Sequence, residues 1–284
     1  MDKSKRSTYI IAAAALVVII VAVYFLFIAN KKPTAIKSQE ASQDVIKNVS
    51  DINLKNRPFI TLTPTADGAE IIISIENMTA FDRIEYELTY QANNPQVAGE
   101  KLERGATGTD INTKDAKYKK SILLGTASKG VRSPDTGITD GKLAMHMFKG
   151  QTEYDSETEW NIYRTSQVNT IKSADGNFAI TSGPLAKDYW MILANTLGVP
   201  ANRQGIDLNK VALPVYGTFS IAGDFTSPGS LSIKLAKDSK DVQLNSYSLQ
   251  SDKWQKMDST YDSASKTVTA KPAGFGVFVI TASQ

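Results

Sequence analysis

The segment RIEYELTYQ (Arg83–Gln91) decides how the chain is to be read. Ile84, Tyr86, Leu88 and Tyr90 fall on one side of an extended backbone, and Glu85, Glu87 and Thr89 fall on the other. A period of two marks a strand with one buried face and one wet face. Working outward, FITLTPT, AEIIISIEN, KLAMHMFKG and EWNIYRTS are equally short and rich in β-branched or aromatic residues. ADG, ANNP and SPDTG supply turn chemistry between them. Short strands punctuated this regularly predict an antiparallel sandwich from about Pro58 to residue 168.

The remainder, residues 169–284, reads as a second antiparallel β-sandwich. Its candidate strands are NFAITS, KVALPVYGTFSIAG, SLSIKLA, VQLNSYSLQ, KTVTAKPA and GFGVFVITA. DYWMILANTL, over 188–197, fits a strand, but Tyr189, Ile192, Leu193 and Thr196 fit a helical period equally well, so its state stays open. In the last strand Val277, Val279 and Thr281 share one face, while Phe278, Ile280 and Ala282 share the other. Apolar residues on both faces predict a central or covered strand. Gly274 and Gly276 are expected to let it bend against its neighbours. Asp262–Lys266 supplies turn formers between two alternating strands.

PFITLTPTADGAEIIISIENMTAFDRIEYELTYQ resembles the opening of a fibronectin type III or related immunoglobulin-like module. Pro58 ahead of the first strand and the Tyr86-x-Leu88-x-Tyr90 strand carry the likeness. Where such modules commonly hold a tryptophan on the second strand, this chain has Ile73 or Ile75, and Gly99–Gly150 is longer than the module needs. The ending DKWQKMDSTYDSASKTVTAKPAGFGVFVI is similar to the closing strands of β-sandwich modules in bacterial surface proteins. These resemblances imply a scaffold for adhesion or assembly.

Tyr9–Ala29 holds 21 positions without a charge. At about 1.5 Å per helical residue it matches the hydrocarbon thickness of a bilayer. A cleavable signal would have a shorter apolar core followed by small residues, whereas this run ends in Tyr24, Phe25, Leu26, Phe27 and Ile28. An uncleaved transmembrane helix over 9–29 is therefore expected. Lys3, Lys5 and Arg6 before the span only just outnumber Lys31 and Lys32 after it; together with a β-rich, cysteine-free body typical of exported modules, they place residues 1–8 as a cytoplasmic tail and the body outside the cell membrane. A polar linker covers 30–57, with a short helix over 42–53 suggested by Val45, Val49 and Ile52 behind Ser42. The bilayer is thus one partner, and a protein or a cell-wall glycan is expected as the other.

Of 284 residues, 42% are hydrophobic and 21% charged, the balance of a globular protein. The formal charge of +3 leaves no basic stripe for nucleic acid. KYKK (Lys117–Lys120) reads as a solvated strand end. Cysteine is absent, which removes disulfides, thiolate metal sites and cysteine nucleophiles. The one histidine, His146, sits on a strand with Ala144 and Phe148 on its face, and reads as a structural residue. Asp67, Asp135, Asp140 and Asp175 leave an all-oxygen calcium site open, yet none has the spacing of an EF-hand loop. Ser263-Ala-Ser-Lys266 matches S-x-x-K without the partner motifs of that chemistry. Trp160, Trp190 and Trp254, with Tyr154, Tyr163, Tyr189 and Tyr247, could stack on a ligand, but core packing explains them better. No catalytic, cofactor-binding or metal-binding residue is assigned. The sequence predicts a non-enzymatic, membrane-anchored surface protein for adhesion, attachment or envelope organisation. An accessory subunit of an envelope or secretion assembly is the first alternative, and a carboxylate-dependent cell-wall hydrolase the second.

Overall fold

A computed structural model describes residues 45–283. The expected transmembrane segment at 9–29 lies outside the described residues, among which no helix is long and apolar enough to cross a membrane. The chain is mainly β. Its first half lays down β1 (Val45–Asn48), β2 (Phe59–Pro64), β3 (Glu70–Glu76), β4 (Arg83–Asn93), β5 (Lys101–Gly108), β6 (Lys117–Leu123), β7 (Gly125–Ser128), β8 (Val131–Pro134), β9 (Thr139–Lys149) and β10 (Thr152–Arg164). The second half adds β11 (Thr170–Lys172), β12 (Phe178–Thr181), β13 (Trp190–Thr196), β14 (Val211–Ser220) and β15 (Ser230–Lys234). β16 (Lys240–Ser248), β17 (Lys253–Lys256), β18 (Ser259–Asp262), β19 (Thr267–Ala270) and β20 (Val277–Ser283) complete it.

In β4 the two-residue period holds: Ile84, Tyr86, Leu88 and Tyr90 are buried while the intervening residues face outward. β4 lies between β5 and β9, and β9 pairs with β10. Above this four-stranded stretch sits a separate sheet in the order β2-β3-β6. The core between them gathers Phe59, Leu62, Ile71, Ile73, Ile75, Tyr86, Leu88, Met145, Met147 and Trp160. Ile73 and Ile75 are fully buried there. Two antiparallel sheets stacked over one core match a sandwich arrangement.

The second half repeats the stacking on the other side. β11-β12-β15-β19-β18 form a five-stranded sheet whose inward residues, among them Phe178, Ile180, Leu231, Ile233 and Val268, build a second core. The expected boundary near residue 168 does not interrupt the main sheet. β10 pairs antiparallel with β13, from Trp160↔Ala194 to Arg164↔Trp190. The result is one ten-stranded sheet, ordered β17-β16-β20-β14-β13-β10-β9-β4-β5, with β1 running parallel to the start of β10.

The strands at the middle of this sheet are covered on both faces. Ile192 and Ala194 enter the first core and Met191 and Leu193 the second. In β20, Val277 and Val279 face the first core, while Phe278, Ile280 and Ala282 face the second. The continuous apolar run of VFVI follows from that placement between β14 and β16. Residues 190–196 are a strand for the same reason. A helix would point one apolar stripe into one core, whereas this segment fills two. Gly274 and Gly276 precede β20, and a Cβ on Gly276 would meet the Tyr247 carbonyl oxygen at 2.4 Å.

The expected helix over 42–53 is not formed by its described part. Val45–Asn48 is a strand, and 3-10 turns at Val49–Asp51 and Leu54–Asn56 follow it. Asn48 and Asn53 each accept a backbone N–H two residues ahead, at 2.8 and 3.1 Å, which caps each turn as it starts. Val49 and Leu54 are thereby buried in the first core.

Two hairpins share one turn. In Thr65–Glu70 the Thr65 hydroxyl donates to Asp67 Oδ1 (2.7 Å), accepts Glu70 N–H (3.1 Å), and Asp67 Oδ1 also accepts Ala69 N–H (3.1 Å). In Ser173–Phe178 the Ser173 hydroxyl donates to Asp175 Oδ1 and accepts Phe178 N–H (3.0 Å), and Asp175 Oδ1 accepts Asn177 N–H (3.0 Å). Gly68 and Gly176, at φ +70° and +69°, turn the chain in each. One hairpin opens the three-stranded sheet (β2–β3) and the other opens the five-stranded sheet (β11–β12).

Candidate functional site

The five-stranded sheet covers only part of the main sheet's second face. Across β4, β9 and β10 that face stays open, and strand register arranges it in rows. Arg83, Phe148 and Glu153 form one row, followed by Glu85–His146–Asp155, Glu87–Ala144–Glu157 and Thr89–Lys142–Glu159. Six carboxylates therefore stand on it against the cations Arg83 and Lys142. Arg83 bonds Glu85 at 3.1 Å and lies 3.8 Å over the Phe148 ring. Lys142 bonds Glu157 at 3.1 Å.

His146 is the chemical centre of this face. Its Nδ1 lies 2.9 Å from Glu153 Oε1 and 3.0 Å from Asp155 Oδ1. Side-chain exposures of 37%, 19% and 40% for His146, Glu153 and Asp155 place the cluster at the surface with its base sunk into the sheet. Burial pushes the imidazole pKa down, but the hydrogen bonds and charges of Asp155 and Glu153 outweigh it and hold it above its ordinary value. One atom from each of the three side chains lies within 4.8 Å of the other two. The set can hold a proton between two carboxylates, or present one nitrogen and two oxygens to a cation.

His146 thus occupies the expected strand face with Ala144 and Phe148, but among partners that sequence reading did not assign. The signal was present. EYDSETEW (Glu153–Trp160) alternates carboxylates at 153, 155, 157 and 159 with Tyr154, Ser156, Thr158 and Trp160, so β10 begins at Thr152, earlier than its aromatic end suggests. The tight turn at Gly150 then fixes the register that sets Asp155 opposite His146.

The four aspartates considered for calcium serve their own surroundings. Asp67 and Asp175 cap the twin turns. Asp135 accepts the Tyr90 hydroxyl at 2.9 Å and lies 3.5 Å from Arg104, while Asp140 accepts the Thr139 hydroxyl. The Ser263–Lys266 segment is the β18–β19 turn, capped by Asp262. Of the aromatic residues, Trp160 is wholly buried and Tyr247 nearly so. Trp254 packs on the first core and donates its indole N–H to Asn202 O at 2.6 Å. KYKK belongs to β6, an edge strand, where Lys117 bonds Glu76 at 2.7 Å. Lysines on an edge discourage pairing with another chain.

A second surface is a groove of about 900 Å³ along the five-stranded sheet, lined by hydroxyls and amides such as Thr181, Ser232, Ser246, Gln255 and Thr269. Lys256, Asp258 and Lys271 add charge to these hydrogen-bonding groups, and Leu231 and Met257 add apolar surface. These features define a mainly β protein built from several antiparallel sheets in a sandwich-compatible arrangement. No protein-family model matches the chain, and no curated protein is significantly similar to it.

Proposed function

We propose that the chain is a single-pass membrane protein whose β-sandwich body stands outside the cytoplasmic membrane in a non-enzymatic attachment or envelope-organising role. The observation that carries this reading is the β10–β13 junction. An attachment protein gains from holding its contact surfaces in fixed relation to one another. Here backbone hydrogen bonds join the two halves edge to edge, and both cores are built on the joined strands. No hinge separates the halves, so the open acidic face and the hydroxyl-lined groove move together.

Further support comes from strand order. β2-β3-β6 stacked against β5-β4-β9-β10 follows the arrangement of a seven-stranded immunoglobulin-like or fibronectin type III-like module. The uncharged run over 9–29 supports an anchor, and the excess of Lys3, Lys5 and Arg6 over Lys31 and Lys32, with the β-rich, cysteine-free body, favours a cytoplasmic N-terminus. The partner proposed is a protein or a cell-wall glycan, since both body surfaces are polar.

The absence of cysteine makes the topology directly testable. A Ser251→Cys variant carries its thiol in the exposed turn between β16 and β17. A membrane-impermeant maleimide should label it on intact cells. Ser4→Cys should be labelled only after lysis. The opposite pattern, or labelling of neither before lysis, refutes the proposal. Protease shaving of the same cells, with pull-down of the released body, then reads the partner.

A further inference from the structure

We infer that His146, Glu153 and Asp155 form a surface site for a divalent first-row transition-metal ion of the zinc type. Three observations converge on it. Two carboxylates from one strand aim at a single nitrogen, with Nδ1 2.9 Å from Glu153 Oε1 and 3.0 Å from Asp155 Oδ1. An imidazole Nδ1 carries one proton at most, so it fully satisfies one of these acceptors and leaves the other underserved. Second, charge is unbalanced: a protonated imidazole brings +1 against two negative groups, whereas neutral imidazole with a divalent ion balances them. Third, the cluster sits in the row Glu85–His146–Asp155 on a face carrying six carboxylates and two cations, a field that concentrates cations from solution. Arg83 holds Glu85 at 3.1 Å, so the neighbouring carboxylate is partly spoken for and the three-ligand set stands as the site.

The geometry needs little adjustment. For ligand bonds of about 2.0–2.2 Å in a tetrahedron, ligand atoms stand roughly 3.3–3.6 Å apart. The two short nitrogen–oxygen distances must therefore open by about half an ångström, while the two carboxylate oxygens, within 4.8 Å of each other, settle to the same spacing, both within reach of side-chain rotation on a fixed hairpin. The Nδ1 proton leaves to solvent as the ion binds. One nitrogen and two oxygens suit a borderline ion, while calcium would seek six to eight oxygens. Three protein ligands leave a coordination position facing solvent, open to water or to a donor from a partner.

The chain's single histidine gives the test an unambiguous reporter. Full-length, tag-free protein is titrated with zinc chloride while the imidazole resonances are followed by NMR, and affinity is measured by competition with a chromophoric chelator. One zinc per chain is expected, with the imidazole shifting in step. Glu153→Gln and Asp155→Asn should each weaken binding at least tenfold, and His146→Ala should abolish it. Glu87→Gln, one row away, should leave it unchanged. Circular dichroism of each variant establishes that the fold is retained. Zinc binding that survives His146→Ala, an imidazole that does not shift, or carboxamide variants that bind like the parent would overturn the site. Calcium or magnesium competing at equal concentration would overturn the metal class.

Discussion

Replacing Phe278 with alanine tests whether the two halves unfold as one. Phe278 is 2% exposed, and its ring centroid lies 5.8 Å from that of Phe178, which stacks on Tyr216 at 4.9 Å. Truncating a buried phenylalanine costs about 3–5 kcal/mol. In a unit of this size each kilocalorie lowers the melting temperature by about 2–4 °C, so the loss is roughly 6–20 °C. The tryptophans make the assay selective. Trp160 lies in the first core, Trp254 packs on that core, Trp190 lies against Gly68 of the β2–β3 turn, and the second core contains no tryptophan. Phe278 belongs to the second core, yet the next residue, Val279, belongs to the first. If β20 couples them, F278A must move the tryptophan-fluorescence midpoint in urea as far as it moves the far-ultraviolet circular dichroism midpoint. V279A, losing about 2–3 kcal/mol from the first core, should shift the same single transition. Two separated transitions, with F278A leaving the fluorescence midpoint in place, would refute the coupling.

The twin turns supply a matched comparison. At Gly176 a Cβ would meet nothing within 4 Å, so Gly176→Ala should cost only the left-handed backbone penalty of about 1–2 kcal/mol. At Gly68 the same atom would lie 2.4 Å from the Trp190 ring, so Gly68→Ala should cost a further 1–3 kcal/mol or so and alter tryptophan emission. Equal losses in urea denaturation would show that the ring yields freely. For acid stability, burial pushes Asp175 up, but hydrogen bonds from Ser173, Tyr216 and Asn177 outweigh it and hold its carboxyl below the usual range. A folded-state pKa below the unfolded one stabilises at neutral pH, and that contribution is lost as pH falls from about 4 through the folded value. Asp175→Asn should therefore start less stable at pH 7 and lose stability less steeply between about pH 5 and 2. A slope as steep as the parent's would contradict this.

Much of the fold was legible because burial on one side of a strand writes itself as alternation. IEYELTY predicted β4, and the apolar run at 277–280 predicted a covered strand. What escaped was non-local. Nothing in the sequences of β10 and β13 announces that they pair across the 168/169 boundary, because the hydrogen bonds joining them are made by backbone. The helix suggested over 42–53 failed because Val45, Val49 and Ile52 satisfy a helical spacing whether or not a strand edge is available to pair with Val45–Asn48. The His146 cluster was half legible. Histidine on a strand face and carboxylates at every second position of EYDSETEW were both visible, but only the hairpin register brings them together.

Two-sided burial in β13 and β20 bears on how this chain can drift over generations. Along β10 an inherited change at Glu157 or Glu159 meets water and costs little. Along Met191–Ala194 and Val277–Ile280 each consecutive residue presses on one core or the other, so no position is spare. Descendants should diverge faster on the acidic face outside the His146–Glu153–Asp155 cluster and slowest in those two short segments, which makes them the best markers for tracing remote kin.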